Sequence, residues 1–363
     1  MTGSPNTPKP QASAPSTQAT DVPSTQMLSM RPGARAGMGS DGTEVMRQTL
    51  WHRMLNNTQL MVGMLIILLI FVISYVLPPL LHLDPLAVDP VNRLSGPSAE
   101  HIFGTDNFGR DLFARIVSGA STSLIVGFVV AVVSSVLGTI IGVAAVFNSV
   151  LDAILMRVCD GLMAIPAILL AVALAAALGP SVTNLVIALA IVYTPGIARL
   201  VRARALAITS ETFVTASTMQ GAGMLHLMWR HILPNTLSVL VVQATFTFAE
   251  SVITEAAMSF LGAGVPAPQA SWGNILYDGK SVIMQVPQMI LLTSAFLIIT
   301  VLALNMIGDG LRDLVDQRSR ALVGKPGIFA RMAGAVGPRR VRSLEPSTAA
   351  RTEPSRTRKE TER

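Results

Sequence analysis

Glu250 and Glu255 are the residues whose type and spacing most readily suggest chemistry, because two carboxylates stand five residues apart in an apolar stretch. A carboxylate pair can work as general acid and base when both groups face one reacting atom. On a helix, however, five residues correspond to about 140° of rotation, so the two side chains point to different faces. We therefore predict no catalytic carboxylate pair.

The other reactive side chains form no recognisable catalytic or metal-binding pattern. The single cysteine, Cys159, excludes a disulfide framework and a CxxC pair. Gly324 and Lys325 are followed by Pro326 and lack the earlier glycine of a phosphate-binding loop. The histidines never stand four residues apart within a span; they are His52, His82, His101, His226 and His231. We predict no catalytic residue, no metal site and no cofactor on this chain.

The composition is that of a protein that crosses a membrane several times. Of the 363 residues, 51% are hydrophobic and 13% are charged, and the mean hydropathy is +0.55. Soluble domains carry roughly 25% charged residues. A hydrocarbon core about 30 Å thick needs about 20 apolar residues per helix. Dividing the charge-free intervals at that length predicts an all-α membrane protein with six transmembrane helices.

Breaks in the charge-free intervals set the positions of the spans. The interval 161–198 is too long for one helix, so the Gly-Pro-Ser sequence at 179–181 is expected to divide it, and Pro166 is expected to kink its first half. Gly138 and Gly142 form a GxxxG pattern that favours close packing against another helix of the same chain, with subunit pairing as the alternative. The other spans are predicted at 59–81, 122–147, 236–261 and 282–308.

The two ends of the chain differ from its middle. Residues 1–43 are rich in Ser, Thr, Pro, Gln and Gly, which predicts a disordered cytoplasmic leader, and 44–82 hold an interfacial segment and the first span. Residues 321–363 contain ten basic and four acidic side chains, whereas the first 320 residues contain 17 of each. The net charge of +6 therefore lies in a tail predicted to be disordered and to contact membrane lipid, with no nucleic-acid binding.

Arginines in the short connections favour placing both termini in the cytoplasm. In that orientation the inner segments hold nine arginines, namely Arg31, Arg35, Arg47, Arg53, Arg157, Arg199, Arg202, Arg204 and Arg230. The outer segments hold Arg93, Arg110, Arg115 and Lys280. We therefore predict a multi-pass protein of the cell (inner or plasma) membrane with cytoplasmic termini.

The extracytoplasmic segment 83–121 carries a charged pattern between glycines that permit tight turns. The glycines are Gly104 and Gly109, and a salt-bridge lattice at the membrane surface is expected from Asp106, Arg110, Asp111 and Arg115. Large apolar residues at helical spacing predict a short amphipathic helix on the outer interface; they are Phe108, Leu112, Phe113 and Ile116. The segment is expected either to close the gap between helices or to contact a partner protein.

The loop at 205–235 has a pattern of its own. A helix that begins near Glu211 is expected to end at Gly221 and Gly223, and a second short helix is expected to stop before Pro234. An apolar surface suited to a groove on another protein is expected from Met219, Met224, Leu225, Leu227 and Met228. These features alone leave open whether the loop binds a partner or only joins its own helices.

This loop resembles the signature loop of ABC-importer permeases, whose pattern is Glu-Ala-Ala, three residues, Gly, nine residues and Ile-x-Leu-Pro. The matching positions hold Ala216, Gly221, Leu233 and Pro234, and the departures are Thr215, Ser217 and His231. The sequence 230–235 is typical of the dipeptide, oligopeptide and nickel subfamily. Motifs similar to those of its second permease subunit are 104–106 with 109–111, 259–262 with 271–273, and 305–313. Together they cover about residues 50–320.

The resemblance implies the type I importer permease fold, with a permease core at 122–320, and a set of partners. These are a homologous permease, two cytoplasmic ATPases or one fused ATPase that bind ATP and Mg²⁺, and an extracytoplasmic binding protein. The ATPase-coupling residues would be Glu211, Ala216, Ser217, Gly221, Gly223, Arg230 and Pro234. Gly104, Asp106, Gly109, Arg110 and Asp111 would form the extracytoplasmic motif.

The expected function is import of dipeptides or oligopeptides, with no enzymatic activity on this chain. A nickel chelate or glutathione stays open as cargo. Glu250 and Glu255 are candidates either for the substrate path near the outer gate or for structural pairing. An ion-driven carrier is disfavoured, because it would place charged residues at the centres of its spans. A membrane scaffold that anchors cytoplasmic partners through residues 211–234 is a further alternative, and such a scaffold would need no cavity.

Overall fold

The structure is a computed structural model that describes residues 54–323, with side chains through residue 315. The predicted leader, residues 44–53 and all but the first three residues of the predicted tail lie outside the described residues. Within them the fold is nearly all helical, with only an isolated bridge between Thr105 and Asp111. The all-α prediction is confirmed.

Eleven helices follow one another in the described residues, together with a 3₁₀ turn at Pro90–Asn92 and a π-helical turn at Met228–Ile232. They are α1 (Thr58–Tyr75), α2 (Leu77–Leu80), α3 (Leu112–Phe147), α4 (Ser149–Met163), α5 (Ala167–Leu178), α6 (Val182–Thr209), α7 (Thr212–Met219), α8 (Met224–Leu227), α9 (Leu233–Phe260), α10 (Trp272–Lys280) and α11 (Pro287–Val323).

Five stretches of the described chain are long and apolar enough to cross a membrane. They are Thr58–Leu80, Leu112–Phe147, Val182–Thr209, Met224–Phe260 and Pro287–Val315. A sixth is the pair α4 and α5, which bends by 94°. Counting that pair as one broken span gives the predicted six. Pro166 lies at the bend, and Gly179, with φ at +87°, ends α5, so both predicted breaks are confirmed.

The second span begins ten residues earlier than predicted. Helix α3 runs without interruption from Leu112 to Phe147, and Phe108 lies in the turn before it. The prediction of a separate amphipathic helix lying on the outer interface is therefore wrong. Arg115 lies outside the predicted span 122–147, but the structure buries its side chain inside the first turn of α3.

Pro234 does not end the helix that precedes it. From Met224 the backbone passes through α8 and the π turn, and it continues as α9 with Pro234 near the start. The change of hydrogen-bond register at the π turn places the proline, which lacks a backbone N–H, at a position where no donor is needed. The predicted stop before Pro234 is wrong, because this register change accommodates the proline.

Helix α3 is the central packing element and contacts α6, α9 and α10. Glycine lets α3 and α6 approach closely, since a Cβ on Gly142 would stand 2.5 Å from the backbone oxygen of Ala198. A Cβ on Gly138 would likewise stand 2.7 Å from the side chain of Ile197. The GxxxG pattern therefore packs within the chain, as predicted. On another side of α3, the buried Trp272 of α10 donates its indole N–H to the backbone oxygen of Ile116 at 3.1 Å.

Candidate functional site

The 205–235 loop is a helix-turn-helix seated on a small apolar core. Val214 of α7, Leu227 of α8 and Ile232 of the π turn are buried against Ala205 and Ile208 at the end of α6. Because three segments of the loop share this core, their positions are fixed relative to α6. The loop is therefore a folded unit attached to the end of a membrane helix.

The outward side of the loop exposes large apolar side chains beside its polar ones. Met219 is 85% exposed, Leu225 is 62% exposed and Trp229 is 63% exposed. Leu227 and Met228, which sequence analysis placed on the same surface, instead pack inward. Trp229 was missed, although an aromatic residue next to Arg230 is the type of side chain that dominates protein interfaces. The exposed surface is thus smaller than predicted but contains a tryptophan.

Most of the predicted coupling residues lie on the exposed side of the loop. Exposed side chains or backbone occur at Glu211, Ala216, Gly221, Gly223, Arg230 and Pro234. Ser217 is half-buried and its hydroxyl donates to the backbone oxygen of Phe213 at 2.9 Å. Gly221 has φ at +84°, a conformation that side chains rarely adopt, whereas Gly223 has φ at −68°. The turn therefore depends on Gly221 and not on Gly223.

The residues that precede α3 from position 83, called here the 83–111 segment, end in a compact turn at 104–112. This turn contains the predicted glycine and aspartate motif. Gly104 and Gly109 have φ near +80°, and a Cβ on Gly109 would stand 1.7 Å from the backbone oxygen of Asp89. Asp106 accepts backbone hydrogen bonds from Phe108 and Arg110 at 2.8 and 2.9 Å. The motif therefore specifies a turn whose two glycines are required by backbone geometry and whose aspartate organises its amides.

Four buried or half-buried charges link this turn to α10. Arg110 Nε donates to Asp106 Oδ2 at 2.7 Å, and Arg115 Nε lies 3.3 Å from the same oxygen. Asp278 Oδ2 lies 3.3 Å from Arg110 Nη2 and 3.7 Å from Arg115 Nη2. The predicted lattice is confirmed for Asp106, Arg110 and Arg115. With Asp278 it contains two arginines and two aspartates, so its formal charges cancel.

Asp111 does not belong to the lattice. Its side chain instead caps α3 by accepting from the backbone N–H of Ala114 at 2.7 Å, and it pairs with His101 at 2.8 Å. That part of the prediction is wrong, because the start of α3 needs an acceptor at this position. Asp278 was missed, although it is the only acidic residue between Glu255 and Asp309.

A cavity of about 490 Å³ opens beside the lattice. Its lining includes Arg110, Arg115, Asn274, Tyr277 and Asp278 together with the prolines of the 262–269 loop. Burial raises the pKa of Asp278 above its ordinary value, while the guanidinium groups of Arg115 and Arg110 act in the opposite direction. The side of the protein that carries the 83–111 segment thus presents a recess, apolar over most of its wall, with a charge-balanced base.

A second cavity, of about 290 Å³, lies midway along the membrane helices at the bend between α4 and α5. The 94° bend leaves a gap between these helices and the middle of α6 and α9. Glu250 lines it together with Gln243, Thr247 and Tyr193. The Tyr193 hydroxyl is fixed by Thr254 Oγ1 at 2.6 Å and by the backbone oxygen of Glu250 at 3.2 Å. Glu250 is therefore placed where a molecule inside the membrane region can reach it.

Glu255 occupies a different environment. It is completely buried, and its Oε1 accepts a hydrogen bond from the Ser259 hydroxyl at 2.7 Å. The hydroxyls of Ser123 on α3 and Ser271 at the start of α10 also face its carboxylate. Ser259 in turn accepts from the backbone N–H of Val265 at 3.0 Å. Glu255 is thus bonded within α9, lies beside hydroxyls of α3 and α10, and lines neither of the two cavities described above.

The motifs at 259–262 and 271–273 meet around Glu255. A Cβ on Gly273 would stand 2.4 Å from the backbone oxygen of Ala256, so α9 and α10 touch through this glycine. Ser271 caps α10 by accepting from the backbone N–H of Asn274 at 3.2 Å. The two motifs therefore position α10, which carries Asp278 and lines the cavity of about 490 Å³.

Comparison with known proteins assigns residues 134–321, about half of the chain, to one family. The description of that family is binding-protein-dependent transport system inner membrane component. The matched range begins within α3 and includes the 205–235 loop, both glutamates and all but the last two residues of α11. It therefore contains the helices that form the cavity at the bend between α4 and α5, which we call the inner cavity.

Curated relatives match a larger part of the chain. A Brucella abortus chain named for a peptide transport system permease protein is 44% identical over 267 residues, covering 74% of this chain and 90% of the relative. The dipeptide transport system permease protein DppC of Alkalihalophilus pseudofirmus is 40% identical over 271 residues, covering 74% and 89%. A Sinorhizobium fredii relative named for a peptide ABC transporter permease is 46% identical over 242 residues, covering 67% and 83%.

Among solved structures, an inward-facing form of the MetNI methionine ABC transporter matches with 24% identity and a TM-score of 0.47. The match covers 55% of this chain and 95% of that one. The identity and coverage of the curated relatives, together with the family model, decide the assignment. The chain belongs to the family of inner membrane components of binding-protein-dependent transport systems.

Proposed function

We propose that this chain is one of two permease subunits of an ATP-driven importer for dipeptides or short oligopeptides. Relatives that are 40–46% identical carry peptide or dipeptide transport in their names, which supports this cargo class. The described helices supply membrane spans and an internal cavity, as a translocating subunit requires. In this proposal the chain has no enzymatic activity and binds no cofactor of its own.

The observation that carries the proposal is the construction of the 205–235 loop. Its inward side is fixed to α6 through Val214 and Leu227, and its outward side exposes Leu225 and Trp229. A surface that binds an ATPase and is rigidly attached to a membrane helix can transmit the closure of that ATPase to the helix. We assign this coupling role to the loop, with ATP and Mg²⁺ bound by two ATPase subunits or one fused ATPase.

The orientation follows from the same assignment. If the 205–235 loop binds a cytoplasmic ATPase, then the 83–111 segment lies on the opposite, extracytoplasmic side, and both termini lie in the cytoplasm. The cavity of about 490 Å³ beside Arg110 and Asp278 is then an outer cavity, which faces the binding protein that delivers the cargo. The homologous permease completes the path on the side where the inner cavity opens.

Reconstitution of the whole transporter tests the proposal. The chain would be co-expressed with its homologous permease and ATPases, and ATP hydrolysis would be measured with binding protein loaded with di- and tetrapeptides. Stimulation by peptide-loaded binding protein, together with peptide uptake into vesicles, is the expected result. Stimulation only by a nickel chelate or by glutathione would overturn the peptide assignment while keeping the importer. Failure of any ATPase to bind would overturn the coupling role of the loop.

A further inference from the structure

Glu250 carries a carboxylate that finds no partner within the described part of the chain. Its backbone oxygen accepts hydrogen bonds from Tyr193 and Thr254, but its side chain makes neither a hydrogen bond nor an ion pair with residues 54–315. Acidic side chains within membrane spans are costly and normally pair or face a functional cavity. This carboxylate is therefore free to bind a group that comes from outside these residues.

Three other acidic residues near the membrane helices have partners. Asp160 pairs with Arg199 at 2.5 Å, and Asp152 pairs with Arg202 through both of its oxygens. Glu255 is bonded to a serine hydroxyl in a buried site. Glu250 differs from these three, because its carboxylate is exposed on the wall of a cavity and has no side-chain partner among residues 54–315.

The cavity favours a positively charged group beside Glu250. Gln243, Thr247 and Glu250 recur at helical spacing on α9 and form one polar stripe along the wall. The rest of the lining is largely apolar, drawn from the bend between α4 and α5 and from the middle of α6. An apolar wall strengthens the attraction between a carboxylate and a cation, since the effective dielectric constant is lower than in water. Glu250 is the only charged residue of this lining.

We propose that Glu250 binds the ammonium group of the cargo while it passes through the inner cavity. This inference rests on the proposed function in peptide import, and it names the group of the peptide that the permease recognises. The N-terminal ammonium of any peptide supplies such a cation, and so does a lysine side chain. The Thr247 hydroxyl offers a neutral hydrogen-bonding group to the neighbouring peptide bond.

The first experiment replaces the charge chemically. In a Cys159→Ser background, Glu250→Cys would be introduced into the full reconstituted complex, and uptake of tri-alanine would be measured. We expect uptake to fall by about tenfold, as for loss of a charged hydrogen bond. A thiol reagent that adds a sulfonate should restore most of the uptake, whereas one that adds a quaternary ammonium should not. Equal effects of the two reagents would overturn the proposal.

Gln243→Cys is the matched control, because it lies on the same stripe and lines the same cavity but carries no charge. Both reagents should affect uptake there to the same degree, through crowding alone. A difference between the reagents as large as at Glu250→Cys would mean that the cavity responds to charge in general, and the specific role of Glu250 would be rejected.

A second experiment identifies the source of the cation with Glu250→Gln. Uptake by the variant is divided by wild-type uptake for each peptide, so that the affinity of the binding protein cancels. The ratio should be low for tri-alanine, low for an N-acetylated peptide with an internal lysine, and near one for N-acetylated tri-alanine. A low ratio for tri-alanine and for N-acetylated tri-alanine alike would refute ammonium recognition, because the acetylated peptide has no ammonium group. A low ratio for free tri-alanine alone would restrict the site to the peptide N-terminus.

Assembly and wild-type transport separate the remaining explanations. If Glu250→Gln and Glu250→Asp both prevent assembly with the homologous permease, then the carboxylate pairs with that subunit and the proposal is wrong. If the wild-type complex imports no peptide at all, the proposed function fails first, before any variant is compared. Normal assembly with a charge-dependent loss of uptake supports the inference.

Discussion

Arg110 Nε donates a hydrogen bond to Asp106 Oδ2 at 2.7 Å, and the Asp106 side chain has no solvent exposure. The pair spans the turn that precedes α3, and Arg115 and Asp278 extend it to α10. Two arginines and two aspartates therefore neutralise each other where the 83–111 segment meets the helices. Charge balance makes this burial tolerable, because an unpaired charge in such a place would be strongly destabilising.

Asp106→Asn is expected to destabilise the protein. The substitution keeps the shape but leaves two buried guanidinium groups facing a single carboxylate. Breaking a buried pair in this way costs about 3–5 kcal/mol of folding stability. Thermal unfolding of the purified complex in detergent should show a large drop in melting temperature. Asp84→Asn is the control, since Asp84 is exposed and bonds only the backbone N–H of Leu86. Equal melting temperatures for both variants would contradict a stabilising role of the lattice.

We expect the folding stability to depend on pH through Asp89, which precedes the 3₁₀ turn at Pro90–Asn92. The Asn92 side-chain amide, at 2.8 Å, and the Val91 backbone N–H, at 3.0 Å, hold the pKa of Asp89 below its ordinary value. A lowered pKa in the folded state contributes stability above the ordinary aspartate pKa, and this contribution is lost as the pH falls through the lowered value.

The difference in melting temperature between the wild-type protein and Asp89→Ala should therefore be constant from about pH 7 to about pH 5 and should shrink below about pH 4. Subtracting the variant removes the effects of all other carboxylates. A difference that grows as the pH falls would show that Asp89 is stabilised in its neutral form, contrary to the geometry.

Gly142→Ala should weaken the contact between α3 and α6. The added methyl group would stand 2.5 Å from the backbone oxygen of Ala198, so one helix has to move. Overpacking of this kind costs about 1–3 kcal/mol. Gly161→Ala is the matched control, because nothing lies within 4 Å of its Cβ position on α4. We expect a lower melting temperature only for the Gly142 variant; equal values would show that the helices separate without penalty.

Local sequence patterns predicted the structure correctly where a single residue type determines the backbone or the packing. Pro166 and Gly179 break helices through their own backbone chemistry, so both breaks were predictable. Gly142 packs against a helix of the same chain, as a small residue in a GxxxG pattern does. These features depend on one residue type and its immediate neighbours.

Sequence patterns failed where distant residues decide the outcome. Arg115 was predicted outside the second span, but Asp278, which lies far along the chain, helps to neutralise it inside α3. Likewise Glu250 and Glu255 look alike in sequence, although the bend at Pro166 opens a cavity beside only one of them. The burial of a charge depends on its partners in three dimensions, and one sequence without the fold does not contain that information.

The two glycines of the 205–235 loop are expected to differ in function. Gly221→Ala forces a side chain into the left-handed region, which costs about 1–2 kcal/mol and should shift the angle between α7 and α8. Gly223 has ordinary backbone angles and open space around it, so Gly223→Ala should be tolerated. ATP hydrolysis stimulated by loaded binding protein should drop in the Gly221 variant and stay near wild type in the other. Loss of stimulation in both would mean that the exposed surface, not the turn, is what the substitutions disturb.

Glu255→Gln should separate a structural carboxylate from a residue of the transport path. The side chain is fully buried, accepts from Ser259 on its own helix and lies beside the serines of α3 and α10, so its surroundings are those of a structural contact. Glutamine keeps an oxygen that accepts from Ser259 and adds an N–H₂ that can donate to the other hydroxyls. We therefore expect assembly and peptide uptake to remain near wild type.

Glu255→Ala, in contrast, removes the acceptor and leaves the Ser259 hydroxyl without its partner, which should cost about 1–3 kcal/mol. Thermal unfolding of both variants and uptake by both complexes provide the comparison. If Glu255→Gln assembles normally but imports peptide poorly, the carboxylate takes part in transport despite its burial, and a movement of α9 must expose it during the cycle. A stable, active glutamine variant beside an unstable alanine variant would place Glu255 among the residues that hold α10, and hence Asp278, in position.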